Sequence, residues 1–202
     1  QLEGAFRLDA EYYDPEFLKL KSLLESCQTS RIIEVSDFVK KGIFDLSPDN
    51  YREDGVPFVR VQNIRKGFLD EEGLVFIPEE VHRKERKTEL ESLDLVLSKV
   101  GTVGEISIIP SRFEKVNFSQ NVIGVKVKKE KILPGYLLAY LLSKFGQLQL
   151  ARVQMLQVQP KLELHDVQEL QIVRLGKAEE EIHRNILGIE KLQEEAKRLY
   201  TQ

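Results

Sequence analysis

Residues 93–127 read LDLVLSKVGTVGEISIIPSRFEKVNFSQNVIGVKV. Short runs rich in Val and Ile alternate with Gly, Pro, Asn and Ser, the texture of strands joined by turns. Strands are expected at Leu93–Lys99, Glu105–Ile109 and Val122–Val127. The glycines of Val100-Gly101-Thr102-Val103-Gly104 fall between the first two, where a hairpin turn is expected. A phosphate cradle would need the Gly-Lys-Ser/Thr ending of a P-loop or a dinucleotide spacing, and neither is present. Upstream to Arg31 the texture is the same, with a further strand at Pro57–Val61.

Helical patterns flank this region. Asp14 can cap a helix running to Cys27, with Pro15 in its first turn and Phe17, Leu20, Leu24 and Cys27 at helical spacing. Pro134 opens a second helix, to Leu150, whose Leu137, Leu138, Leu141, Leu142, Phe145 and Leu148 form a wide apolar stripe. A short helix near His165–Leu170 and a strand at Gln171–Leu175 close the body. From Ala178 onward Ile182, Ile186, Ile189, Leu192 and Leu199 form a stripe for helix packing. That stripe serves equally against the chain's own N-terminal helix or another copy. The expected fold is α+β: a domain of residues 1–177, with a curved, mostly antiparallel sheet braced by helices 14–27 and 134–150. A long helix, 178–202, projects from it.

With 42% hydrophobic residues among 202, the chain can bury a core. Thirty basic against 33 acidic residues give a net charge of −3, so the total carries no nucleic-acid or membrane signature. The distribution is uneven. Residues 1–57 hold 7 basic and 12 acidic side chains, whereas 98–131 hold 7 and 3, locally +4. Helix 178–202 has 4 basic and 6 acidic residues, which suits packing on protein better than on phosphate. No stretch approaches the ~20 consecutive apolar residues of a membrane span, and no charged-then-apolar signal opens the chain, so a cytoplasmic protein is expected. The start at Gln1 reads as a fragment or processed product. The single cysteine, Cys27, beside Leu23 and Leu24, is expected to be a buried small hydrophobe.

Catalytic chemistry is not indicated. His82, His165 and His183 lie in different expected elements without a cysteine partner, so no metal site is called. Pro48-Asp49 and Glu85-Arg86-Lys87 match a nuclease pattern literally, but residues 82–89 read as a solvated charged run, not a strand presenting ligands. The Asn-Pro-Pro-aromatic motif of adenine methyltransferases is missing. Polar side chains suited to nucleic acid are better represented. Asn117-Phe118-Ser119-Gln120-Asn121, beside Arg112 and Lys115, collects amides and hydroxyls, and Asn and Gln pair bidentately with adenine while Arg and Lys contact guanine or phosphate. Arg60-Val61-Gln62-Asn63-Ile64-Arg65-Lys66-Gly67 runs from a strand into a polar turn. Gln154, Gln157, Gln159 and Lys161 alternate with apolar residues. Lys66, Lys99, Arg112 and Lys115 are candidate phosphate contacts and Gln62, Asn117, Gln120 and Asn121 candidate base readers, with Asn63, Thr102, Ser119 and Lys161 as further candidate DNA-binding residues. The alternative is that Asn117 and Ser119 shape a turn, Asn121 caps an edge, Asn63 and Gly67 are purely structural and 154–161 is a solvated strand.

Phe58-Val59-Arg60-Val61-Gln62-Asn63-Ile64, Leu93–Ser98 leading into Gly101-Thr102-Val103-Gly104, Asn117–Gly124 and Gln159-Pro160-Lys161-Leu162, in that order, resemble the target-recognition domain of type I restriction-modification specificity subunits. The resemblance covers residues 30–175. The helix from 178 resembles the spacer that follows such domains, and Phe6–Tyr13 a lead-in to one. It implies a non-catalytic reader of one part of a bipartite duplex DNA site, guiding a methyltransferase subunit and a restriction subunit. S-adenosylmethionine would sit on the partner, and this chain would hold no cofactor. Such subunits carry two recognition domains and this chain one; it is either half of a longer polypeptide or one of two copies paired through their helices. The recognition end of a fused methyltransferase-nuclease and a helix-mediated interaction module stand as alternatives.

Overall fold

The computed structural model describes residues 14–154 and 161–200. The lead-in Phe6–Tyr13 and the positions Gln157, Gln159 and Pro160 lie outside them. In chain order the elements are α1 (Pro15–Ser26), β1 (Thr29–Arg31), β2 (Ser36–Lys41), β3 (Val56–Val59), β4 (Val75–Ile77), α2 (Glu79–Lys84), β5 (Leu95–Ser98), β6 (Ile106–Ile108), β7 (Asn117–Phe118), β8 (Val122–Val127), α3 (Pro134–Leu142), α4 (Lys144–Gln154), α5 (Leu164–Gln168), β9 (Gln171–Val173) and α6 (Ala178–Tyr200). The class is α+β, as expected, but the strands divide among three sheets instead of curving through one. β2-β8-β5-β6 is wholly antiparallel, β1 pairs with β9, and β4-β3-β7 holds one parallel pairing, β3 with β7.

The stretch at 93–127 forms the centre. In β5, Leu95 and Leu97 point into a core shared with Ile106, Ile123 and Val125 and with Tyr136, Leu137 and Leu141 of α3. Val96 points the other way, to Val59, Phe118 and Val122. A strand with both faces buried loses the polar alternation, which is why Leu95-Val96-Leu97 is continuously apolar. Opposite Val96 stands Gly124, where a Cβ would overlap the Phe118 ring. That close approach, not a turn, requires the glycine. Residues 99–104 form the expected hairpin turn between β5 and β6, with Gly101 and Gly104 at φ 75° and 85°.

Four expectations need correction. The helix from Pro134 does not run unbroken to Leu150: Ser143 adopts ψ 165°, and α4 starts anew with Gly146 pressed on Leu141. The charged run 82–89 is not wholly solvated, since His82 and Thr88 are buried, the His82 Nε2 lying 2.7 Å from a Glu89 carboxylate oxygen. Nor does α6 simply project. Ile182 and Ile186 pack on the main core, α6 lies along α3 and not on the N-terminal helix, and the Gly135 N–H donates to His183 Nδ1 at 3.0 Å. Arg174 clamps the buried Glu179 with two bonds of 2.9 and 2.8 Å at the start of α6. The outer part of the stripe is bare, with Ile189 52%, Leu192 67% and Leu199 69% exposed. Cys27, expected to be buried, is partly exposed at the C-cap of α1. Among the described residues no helix is long and apolar enough to cross a membrane.

Candidate nucleic-acid interface

The parallel pairing of β3 with β7 builds the site. Phe58 lies opposite Asn117 and Val59 opposite Phe118, so both strands end at the same edge, and the Ser119 N–H donates to the Val59 carbonyl at 2.9 Å. The polar residues that follow each strand therefore emerge together. Gln62, Ser119, Gln120 and Asn121 line one cleft with Arg60, Asp45 and Tyr51. Its third wall is the turn after β2, tied in where the Gln120 N–H donates to the Ile43 carbonyl at 3.0 Å. Among the described residues, no side-chain hydrogen bond engages Gln62, Ser119, Gln120 or Asn121. Four groups that can donate and accept are thus left open to a ligand.

Beside the cleft three lysines converge on one carboxylate. Lys41 Nζ and Lys161 Nζ lie 3.1 and 3.0 Å from Glu163 oxygens. Lys99, whose backbone N–H donates to the Asn121 carbonyl, joins them. Partial burial and the nearby Lys41 and Lys161 ammonium groups hold Lys99 below the usual lysine range. Hydrogen bonds from Lys161 and Lys41 in turn hold the Glu163 carboxyl low. Three positive charges against one negative leave a surplus that an anion would relieve. Thr102 is exposed at the tip of the hairpin, whose Gly101 faces Val61, 3.8 Å from where a Cβ would stand. Lys66 is exposed and borders a separate shallow recess with Thr102, Glu105 and Gln147.

The remaining candidates lie elsewhere. Asn63 is fully buried: its Oδ1 accepts the Arg60 N–H at 3.0 Å and its Nδ2 donates to the Asp70 carbonyl at 3.1 Å, holding the turn after β3. Asn117 is also fully buried. Its Oδ1 accepts from Thr88 Oγ1 at 2.9 Å and from the Phe118 N–H at 3.0 Å, and its Nδ2 donates to the Glu85 carbonyl at 3.3 Å. Neither can present its amide to a base. Arg112 is held between Glu71 and Glu194, facing α6 and not the cleft. Lys115 pairs with Glu79 at 2.6 Å, beside His82 and Glu89, and its bond holds the Glu79 carboxyl low. A carboxylate pairs with each of these cations, and neither lines the cleft.

Four residues escaped the sequence reading. Arg60 and Lys41 were visible as basic residues, but nothing local separates them from the other cations. Asp45 and Phe44, the latter 81% exposed, occupy the turn after β2. The bridge from Ile43 to Ser119, with the backbone bonds between Ile43 and Phe118 and Gln120, brings that turn to the cleft. Among the described residues no three metal-ligating side chains cluster.

The sequence model of the type I restriction modification DNA specificity domain matches residues 25–174. No curated protein matches the sequence. Among solved structures, the HsdS subunit from Thermoanaerobacter tengcongensis aligns with a TM-score of 0.56 at 15% identity, over 94% of this chain and 46% of that one. The S subunit of a type I restriction-modification system from M. genitalium gives 0.52 at 18% identity, over 95% and 48%. The type IIG restriction endonuclease BpuSI gives 0.59 at 14% identity, over 84% and 28%. These likenesses establish a shared fold. The chain spans about half the length of the first two structures and under a third of the last.

Proposed function

The chain belongs to the type I restriction modification DNA specificity domain family, and on that premise we propose that it reads one part of a bipartite duplex DNA site through the cleft between β3, β7 and the turn after β2. The observation that carries this reading is the meeting of four unengaged polar side chains, Gln62, Ser119, Gln120 and Asn121, with a lysine surplus at their flank. Amides in such a position can satisfy the paired donor and acceptor of adenine, or single groups on other bases. Lys41, Lys99 and Lys161 seat a backbone phosphate and so fix the register in which those amides meet base edges. Thr102 and Lys66, on the hairpin side, extend the backbone contact along the strand.

In this reading the chain performs no chemistry. It directs a partner adenine methyltransferase subunit, which carries the S-adenosylmethionine, and a restriction subunit works from the same complex. The bare stripe Ile189, Leu192 and Leu199 on α6 supplies a seat for a second helix, from the other half of a longer subunit or from another copy, at a spacing that sets the distance between two half-sites.

The test is selection of bound duplexes from a randomised pool at ~0.1 M salt, where nonspecific phosphate binding is partly screened. It is run with the chain alone and with a type I methyltransferase subunit present. Enrichment of a short motif that is lost in Gln62→Ala or Asn121→Ala supports the reading. A pool that stays random in both arms overturns it.

A further inference from the structure

Among the described residues, two charged groups in the cleft have no charged partner. Arg60 is the first. Its Nη2 donates to the Gly73 carbonyl at 2.6 Å and its guanidinium lies over the Tyr51 ring at 5.3 Å. Among the described residues that is the side chain's only hydrogen bond, and the buried Nε–H has none. The fork is thus held by a carbonyl and an aromatic face while most of its five N–H donors stay unused. The contrast with Arg112 and Arg174, each saturated by carboxylates, is plain.

Asp45 is the second. It is exposed, lines the same cleft, and makes no hydrogen bond or ion pair among the described residues, not even with Arg60. Its backbone sits at φ 49°, a left-handed conformation that aspartate tolerates better than most residues. A carboxylate facing DNA is repelled by phosphate, so it belongs there only if a base offers it a donor. In the major groove such donors are the exocyclic amines of cytosine N4 and adenine N6, and only opposite cytosine does the partner base present two adjacent acceptors, guanine O6 and N7, which suit an arginine fork.

Resting on the DNA-reading role proposed above, we infer that Arg60 and Asp45 together read one G·C pair: Arg60 donates to guanine O6 and N7, and Asp45 accepts from cytosine N4. The half-site recognised by this chain therefore contains an obligate G·C position, flanked by positions read by the amides of Gln62, Gln120 and Asn121. The two charges are complementary to the two halves of the pair; an A·T pair in its place sets an N6 donor against the arginine and an O4 acceptor against the carboxylate, while a T·A pair keeps an amine for the carboxylate but gives the arginine a single O4 beside a methyl group in place of guanine's two acceptors.

The test repeats the duplex selection with the wild-type chain, Arg60→Gln and Asp45→Asn, followed by titration of the selected duplex carrying 7-deazaguanine, which lacks the N7 acceptor, at the G·C position. Wild type is expected to lose about 5- to 100-fold in affinity at that substitution, while Arg60→Gln loses little and no longer prefers G there. Asp45→Asn, on an exposed turn where folding is not at stake, is expected to relax the choice at the same base pair only. A selected motif without an invariant G·C, or one whose G preference survives both variants, overturns the inference and leaves the DNA-reading role standing. A pool with no motif removes that role, and the inference with it.

Discussion

Replacing Asn117 by alanine separates a core amide from a base reader, and the structure gives the size of the effect. The Asn117 Oδ1 accepts two short bonds, from Thr88 Oγ1 at 2.9 Å and the Phe118 N–H at 3.0 Å, and the Nδ2 bonds to the Glu85 carbonyl and His82 Nδ1 are longer, at 3.3 and 3.4 Å. Each short bond contributes about 1 kcal/mol net, and depriving buried donors of their acceptor costs about 1 kcal/mol more. The expected loss is about 3 kcal/mol, which for a chain of this size lowers Tm by roughly 6–12 °C. Urea unfolding of Asn117→Ala beside Asn121→Ala measures it. The exposed Asn121 variant should stay within about 0.5 kcal/mol of wild type. Below its lowered Tm, Asn117→Ala should keep the wild-type base preference. If it unfolds with wild-type stability while losing discrimination at one base, the assignment of this amide to the core is wrong.

The lysine cluster makes a second prediction: replacing Lys41, Lys99 and Lys161 together by alanine should flatten the slope of log affinity against log salt by about 0.9, one phosphate's worth, each single replacement by a part of that, across all sequences alike, and Glu163→Gln should strengthen binding. Because burial and Lys41 depress the Lys99 pKa, wild-type affinity should fall as pH rises through that lowered value, and Lys99→Ala should lose this dependence. Arg112→Ala should leave the salt slope unchanged, but speed amide exchange in the second half of α6, where Glu194 loses its partner; a changed slope would restore the phosphate role. Acid should loosen the junction of α6 with α3. Burial lowers the His183 pKa; burial pushes Glu179 up but Arg174 outweighs it and holds the carboxyl low. Both groups bind protons more readily unfolded, so their stabilisation is present above the unfolded values and lost as pH falls through the folded ones, His183 first. Denaturant midpoints between pH 7 and 3 measure it, and Glu179→Gln should remove the lower part of the decline.

The sequence by itself determined the local structure. Asp14 with Pro15, the apolar run from Pro134, the two glycines at 101 and 104, and the β-branched segments at 93–127 each specify an element through contacts a few residues apart, and each element is present. The break at Ser143 was masked because the apolar spacing carries straight across it. Tertiary structure decided what each polar residue does. Asn117 and Asn121 stand four residues apart in one polar stretch, yet the parallel pairing of β7 with β3 turns the first into the core and leaves the second in the cleft. Arg112 and Lys115 look like phosphate contacts until Glu194, Glu71 and Glu79 arrive from distant segments to neutralise them. Lys41 and Lys161, 120 positions apart, become one site only when Glu163 stands between them. An element is fixed by the propensities and hydrophobic period of neighbouring residues, whereas the role of a charge or an amide depends on the partner that folding brings to it, and that partner is nonlocal.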